Sequence, residues 1–225
     1  MKLACLILAL ALPPARADSL NDILARMDQG AKVFKSLSAT VQQTVYTDVL
    51  TETDVDNGTF KMMKSGKDKF VFLADFTGQD ARKVHITGNT VEIYHPKANN
   101  VEIYDARKYT KSIDQYLFVG FGTPSAELLK TYTVTLGGAE TIAGVKTTRI
   151  DLAPKSAEAK KLFKMIQLWI PDGKANPIQE KAITGNEGKD YRLVQFSDAK
   201  INPPLPASDF ELNLPPGVKE IRPGK

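Results

Sequence analysis

Apolar and polar residues alternate in short runs along most of this chain, and this period of two is the feature that most restricts its fold. Val41, Val45 and Val49 alternate with polar side chains, as in a strand that buries one face. Similar runs follow at close spacing, separated by turn residues, and predict a large antiparallel sheet of about eleven strands, curled or closed. The predicted strands lie at 41–49, 59–64, 69–76, 81–87, 90–95, 101–105, 132–136, 140–152, 165–170, 178–184 and 191–198.

Turn and helix signals complete a mainly β fold with helices, of the α+β class. Asn57-Gly58 predicts a turn before the second strand, and Gly88-Asn89 predicts a two-residue hairpin. Apolar residues at helical spacing predict a leading helix over 19–37, which Ser19 and Asp22 would cap. Shorter helices are predicted at 113–118, 125–131 and 156–164.

One face of the predicted sheet is strongly apolar, and it carries the candidate ligand-binding residues. Alternation within each strand places its apolar members together. The helices at 19–37, 113–118 and 125–131 are available to cover this face. Patterning alone favours a filled core but leaves open an apolar cavity that could hold a lipid. The eight candidates are Phe60, Met62, Phe70, Phe72, Val91, Ile93, Val101 and Ile103.

Residues 1–17 have the layout of a cleaved secretory signal. Lys2 precedes an apolar run over 3–12, two prolines end the run, and Ala15-Arg16-Ala17 suits signal peptidase. The run is shorter than the roughly 20 residues of a spanning helix, although an uncleaved anchor is the alternative. Cys5 precedes the run instead of following it, which argues against an acylated lipoprotein Cys. We therefore expect a soluble exported chain over 18–225 without disulfides, long enough for one large domain or two small ones, and the resemblance described below implies a single domain.

The charge balance argues against nucleic acid as a partner. The formal net charge is +4, and removal of Lys2 and Arg16 with the signal leaves +2, well below that of a general nucleic-acid binder. A short cluster of lysines is either a solvated sheet edge or a docking rim for an acidic partner or an anionic lipid surface. Its members are Lys61, Lys64, Lys67 and Lys69.

No motif for catalysis, metal or cofactor binding is visible in the sequence. His85 and His95 lie in separate predicted strands, whereas a zinc site needs three or four convergent ligands. There is no nucleophile elbow and no phosphate-binding loop. Asp54 and Asp56 fit a plain turn better than a calcium loop. We expect no cofactor and no enzymatic activity, although carboxylate pairs formed in space remain open.

The order of several segments resembles that of the periplasmic lipoprotein carriers of the LolA type. The leading helix runs into a first strand, a Lys-rich turn precedes an aromatic-x-aromatic strand, and a Tyr-His-Pro hairpin follows. The resemblance covers essentially all of the chain after residue 17. The matching segments are 37–43, 58–60, 70–72, 88–96, Leu128-Leu129 and 210–218, which reads FELNLPPGV.

This resemblance implies an unclosed β-barrel with a helical lid over an apolar cavity. By position, Phe70, Phe72, Val91 and Ile93 would line the cavity. Leu117, Phe118, Leu128 and Leu129 would belong to the lid. The implied function is a periplasmic carrier that takes the acyl chains of lipoproteins, or other lipids, towards the outer membrane. The implied partners are an inner-membrane release complex and an outer-membrane acceptor, and we expect a monomer.

The turn before the aromatic strand departs from the family pattern. Well-studied members have an Arg there that latches the lid, whereas this chain reads Lys64-Ser65-Gly66-Lys67. Lys64 is the nearest candidate for a latch, but its ammonium lacks the forked geometry of a guanidinium. The alternative to a carrier is therefore a lipid- or lipoprotein-sensing regulatory domain of the same fold, without handover. A secreted enzyme is the third class.

The signal assignment gives the first prediction. The exported protein should begin near Asp18 and stay soluble without detergent, because Ala15-Arg16-Ala17 fits signal peptidase. Intact mass spectrometry of the exported chain tests this. A retained N-terminus, or the added mass of acyl groups at Cys5, would contradict it.

Overall fold

The fold is built on one large sheet. The structure, a computed structural model, describes residues 18–66, 69–105, 119–184 and 188–223. The expected signal at 1–17 and the expected helix at 113–118 lie outside these residues. Twelve strands follow one another in the order β12-β6-β5-β4-β3-β2-β1-β11-β10-β9-β8-β7. Hydrogen bonds do not close the sheet between β12 and β7, so the predicted unclosed barrel with helices is confirmed.

The described strands and helices have the following bounds. The strands are β1 Ser36–Thr47, β2 Glu52–Gly66, β3 Lys69–Thr77, β4 Arg82–Thr87, β5 Thr90–His95, β6 Asn100–Asp105, β7 Tyr132–Ile142, β8 Val145–Pro154, β9 Met165–Pro171, β10 Gln179–Thr184, β11 Asp190–Ile201 and β12 Lys219–Ile221. The α-helices are α1 Leu20–Val33, α2 Ser125–Thr131 and α3 Ala157–Leu162, and Ala207–Phe210 forms a 3₁₀ turn.

Most neighbouring strands are antiparallel, and the short β12 is the exception. It pairs in parallel with β6, where Lys219 lies opposite Asn100. This strand follows the Pro215-Pro216-Gly217 segment and was not among the eleven predicted strands. It is only three residues long, so it has no period of its own to detect.

Helix α1 begins as expected and ends earlier than expected. Ser19 and Asp22 form the predicted capping box, in which the Asp22 backbone N–H donates to Ser19 Oγ at 3.2 Å. The helix stops at Val33 because Phe34 is extended, with φ −68° and ψ 127°. Leu37 therefore belongs to β1, opposite Met62 of β2, and not to the helix.

Three apolar clusters hold the sheet and its cover together, two of them on the inner face. The aromatic cluster lies on β1–β5 and β11 and consists of Phe34, Leu37, Ala39, Val41, Phe60, Met62, Phe72, Phe76, Ile86, Val91, Phe121 and Phe196. The aliphatic cluster packs α1, α2 and α3 on β7–β10 and consists of Ile23, Leu24, Met27, Val119, Leu128, Tyr132, Val134, Ile150, Leu152, Ala159, Ile166, Leu168, Ile170 and Ala182. The outer cluster is Tyr94, Val101 and Leu212.

The structure places two turns differently from the sequence-based prediction. Asn57-Gly58 lies inside the fifteen-residue β2, and the hairpin between β1 and β2 turns at 48–51 instead. The expected strand at 140–152 is divided by a turn at Ala143-Gly144, where both residues have positive φ. Gly58 serves close packing: a Cβ there would lie 2.3 Å from the carbonyl oxygen of Asp75 in β3.

This close approach predicts a marked effect of Gly58→Ala. The added methyl group would push β2 away from the β3 backbone, and we expect a loss of about 1–3 kcal/mol in the free energy of unfolding. Gly66→Ala, also in β2, is the matched control because nothing lies within 4 Å of its Cβ position. Urea denaturation measures both variants. Equal midpoints would contradict the packing role of Gly58.

Candidate functional site

The structure brings six of the eight candidate residues together on the inner face. Phe60, Met62, Phe72 and Val91 are buried members of the aromatic cluster. Phe70 and Ile93 are partly buried and pack against it. Strand alternation predicted this grouping, because directly paired residues share a face: Met62 pairs with Phe72, and Phe72 with Ile86.

Val101 and Ile103 lie on the opposite face of the sheet. The register of β5 and β6 pairs Val101 with Tyr94 and Ile103 with Glu92, which are the outward residues of β5. Val101 is buried in the outer cluster beside Leu212, and Ile103 packs against it. These two residues were predicted to share a face with each other, and they do. Only the pairing with β5 decides that this face points outward.

Three aromatic residues that the sequence did not single out fill the inner face. The Phe121 ring meets Phe196 edge-on, with ring centroids 5.0 Å apart, and Phe196 lies 6.2 Å from Phe60. The ring centroid of Phe34, just after α1, lies 6.3 Å from that of Phe70. The part of the sheet that carries the six candidates therefore has a packed aromatic interior, as patterning alone favoured.

The loop over 119–122 forms part of this cover. Gly122 has φ +66°, and a Cβ at this position would come within 2.6 Å of the Phe34 ring. The turn therefore needs glycine for its conformation and for its contact. The glycines on either side of Phe121 were the sequence signal for a tight turn that presents this ring.

Helix α2 contains the two expected lid residues that the structure describes. Leu128 is buried in the aliphatic cluster, whereas Leu129 is 44% exposed. Asp28 of α1 caps α2, since its carboxylate accepts from the Ser125 backbone N–H and hydroxyl, both at 2.7 Å. The backbone bond from Ser125 lowers the pKa of Asp28. The other expected lid residues, Leu117 and Phe118, lie outside the described residues.

Lys64, the candidate latch, lies near the end of β2. Its side chain is exposed and borders a groove with Lys35, Pro203 and Leu205. Within the described segments, its ammonium makes no hydrogen bond to the loop at 119–124 or to α2. The latch role stays a prediction. Of the other clustered lysines, Lys61 pairs with Asp209 at 3.0 Å, and Lys67 lies outside the described residues.

A cavity of about 380 Å³ opens on the inner face beyond the packed aromatic interior. Its walls come from β1, β10 and β11, and the C-terminal end of α3 contributes Leu162 and the following residue, Phe163. Val45, Ala182 and Val194 give it apolar walls. Ala182 belongs to the aliphatic cluster and Val194 packs against the aromatic cluster, so the cavity lies where the two clusters meet.

The inner face near this cavity also carries polar residues. Glu180 is 5% exposed, and burial raises the pKa of its carboxyl well above the usual range. Gln43 is also buried and donates to Asp56 at 3.5 Å, and Arg82 binds Asp56 at 2.8 Å. The inner face is therefore apolar along the strands that carry the six candidates and mixed near β10 and β11.

The described residues show no arrangement that would hold a metal ion. No group of three or more His, Cys, Asp and Glu side chains converges within them. His85 pairs instead with Glu92 on the next strand, Nδ1 to Oε2 at 2.8 Å. Within the same described segments, no helix has both the length and the apolar character needed to cross a bilayer.

The fold and the apolar inner face define a half-open β-barrel whose interior is covered by helices and a loop. The family model of the outer membrane lipoprotein carrier protein LolA matches residues 32–213. The chain therefore belongs to the LolA family, as the resemblance in its sequence indicated. No curated protein sequence matches this chain.

Solved structures are similar to this chain at low sequence identity. A conserved uncharacterized protein from Thermus thermophilus is 14% identical with a TM-score of 0.53, and the match covers 91% of this chain and 99% of that one. The lipoprotein LppX from Mycobacterium tuberculosis is 15% identical with a TM-score of 0.47, over 84% and 99%. MucB in the Pseudomonas aeruginosa MucA/MucB complex is 12% identical with a TM-score of 0.45, over 84% and 59%.

The packing of Phe121 predicts that the loop contributes strongly to stability. Phe121→Ala should lower the free energy of unfolding by about 3–5 kcal/mol, because the ring is 1% exposed and its removal leaves a cavity. Leu129→Ala, on exposed α2 surface, should change it by no more than about 0.5 kcal/mol. Chemical denaturation compares the two. A small loss for Phe121→Ala would show that this loop does not anchor the inner face.

Proposed function

We propose that this protein is a periplasmic carrier that holds the acyl chains of lipoproteins, or other lipids, against its inner face. The observation that supports this most directly is the aromatic cluster. Among the described residues, its sheet members are covered by Phe121 of the loop at 119–122 and by Phe34 after α1. Membership of the LolA family supports the same proposal.

Binding in this proposal is partition of acyl chains from water into the interior. Each buried methylene contributes about 0.8 kcal/mol, so a long chain supplies enough free energy to displace part of the aromatic packing. Among the described residues, Phe121 and Phe34 are the groups to displace, because they come from outside the sheet. The six inner-face candidates, Phe60, Met62, Phe70, Phe72, Val91 and Ile93, would then contact the chain.

The remaining features of the proposal follow the family. The chain over 18–225 would act as one domain without catalysis, after removal of the signal at 1–17. It would receive its cargo from an inner-membrane release complex and deliver it to an outer-membrane acceptor as a monomer. Leu117, Phe118, Leu128 and Leu129 would form the lid, with Lys64 as its latch. A regulatory domain that senses lipid would bind the same chains but would not hand them on.

The proposal predicts that a charge on the inner face abolishes acyl binding. Phe70→Glu places a carboxylate among apolar walls, where it is costly, and should weaken a fluorescent fatty-acyl probe at least about tenfold. Phe70 suits this test because it is only partly buried, which limits the cost to folding. Probe titration of the wild type and the variant measures the effect.

Leu73→Glu is the matched control for this experiment. Leu73 lies in the same strand and is also partly buried, but it packs against the outer cluster. Circular dichroism must show that both variants are folded. An equal loss of probe binding in both would contradict an inner-face site, and absence of saturable binding by the wild type would contradict the carrier itself. Binding without transfer to acceptor vesicles would favour the regulatory alternative.

A further inference from the structure

The cavity at the meeting point of the two inner clusters contains a carboxyl group that packing alone does not explain. Glu180 lies on the inner face of β10, paired with Leu168 of β9 and Val194 of β11. Its Oε2 is fully buried and has no hydrogen-bond partner among the described residues. A buried polar atom without a partner is unfavourable, and such an atom indicates a missing partner.

The protonation state of Glu180 decides which partner it can take. Burial raises the pKa of this carboxyl well above its usual range, which favours the neutral acid. A neutral carboxyl carries one O–H donor. The group therefore suits a ligand that offers a hydrogen-bond acceptor at the cavity wall.

Arg192 supplies a second donor to the same cavity. It is paired with Ala182 across the β10–β11 ladder, one diagonal position away from Glu180, and both side chains line the cavity. Its side chain is solvent-accessible, and none of its guanidinium N–H groups hydrogen-bonds to a described residue. Partial desolvation in the cavity and the nearby Arg82 lower the pKa of Arg192, but its guanidinium still reaches solvent and remains charged at neutral pH.

The carboxylates near Arg192 already have partners. Asp56 is held by Arg82 at 2.8 Å, and Asp190, which also lines the cavity, accepts from the Asp48 backbone N–H at 2.8 Å. Neither is within ion-pair distance of Arg192 among the described contacts. The cavity thus has two uncommitted polar groups in its wall, the accessible guanidinium of Arg192 and the buried carboxyl of Glu180, beside the apolar side chains of Val45 and Val194.

We propose that this cavity binds the anionic headgroup of a single-chain lipid, a carboxylate or a phosphate, between Arg192 and Glu180. Arg192 binds the anionic oxygens in its forked geometry, and the Glu180 hydroxyl donates to a further oxygen. The acyl chain then extends past Val194 towards the aromatic cluster. About 380 Å³ holds roughly a dozen water-sized groups, enough for a headgroup and its first methylenes.

This inference rests on the proposed function, since it assigns the headgroup end of the proposed lipid cargo to this cavity. The test is isothermal titration at pH 7 with dodecanoate, dodecyl phosphate and the neutral dodecan-1-ol, and with acetate and inorganic phosphate as headgroups alone. We expect the two anionic lipids to bind at least about tenfold more tightly than the alcohol. Arg192→Gln should remove this difference and change binding of the alcohol less than threefold.

Variants at neighbouring positions separate loss of the headgroup contact from effects of net charge or of folding. Glu180→Gln keeps a donor, and its affinity for dodecanoate should lie within threefold of that of the wild type. Glu180→Leu removes the donor and should lower this affinity by more than threefold. Lys181→Gln is the matched control, because this cation lies on the outer face, 3.9 Å from the Tyr191 ring centroid. It should leave all affinities unchanged. Thermal melts verify that each variant is folded.

The possible failures are distinguishable. Equal binding of the three lipids by the wild type would overturn the headgroup site and leave acyl carriage standing. Absence of binding by all three would overturn the carrier proposal together with this inference. Acetate or inorganic phosphate binding as tightly as dodecanoate, with the same dependence on Arg192, would identify a small-anion site and overturn the lipid assignment.

Discussion

A curled sheet that does not close on itself leaves its inner face to be covered by something else, and the rest of this structure depends on that requirement. The two edge strands, β12 and β7, are not hydrogen-bonded to each other. Helices cover the inner face of β7–β10, and Phe34 and Phe121 cover the strands that carry Phe60 and Phe72. The described part of this second cover consists of one ring from a loop and one ring just after a helix, and in the proposed function a lipid replaces these rings.

The inner face has two regions with different chemistry. Along β1–β5 it is packed with aromatic and aliphatic side chains, whereas near β10 and β11 it forms an open cavity with Glu180 and Arg192 in its wall. Partition of an acyl chain uses only apolar area, so it distinguishes chains by their length and not by their headgroup. Directional donors at one end add selectivity, because they distinguish a headgroup by its acceptors. In the two proposals, the aromatic region therefore supplies affinity for the acyl chain, and the cavity near β10 and β11 supplies selectivity for the headgroup.

Much of the fold was accessible from local patterns. The period of two predicted the sheet, and the capping box formed by Ser19 and Asp22 marked the start of α1. The placement of the turns was less predictable. Asn57-Gly58 has the composition of a hairpin turn, but it lies within β2, because Gly58 is needed where the β3 backbone approaches. Turn propensity is a local preference, and a tertiary contact overrode it.

The sequence by itself determined which residues share a strand face, and the tertiary structure decided which face points inward. Val101 and Ile103 show why: their alternation is as regular as that of Val91 and Ile93, but pairing with β5 turns them to the outer cluster. A one-residue change of register exchanges the two faces, and register is set by pairing between strands. The unpaired carboxyl of Glu180 likewise exists only in the folded protein, because no local pattern records that its neighbours on β9 and β11 are apolar.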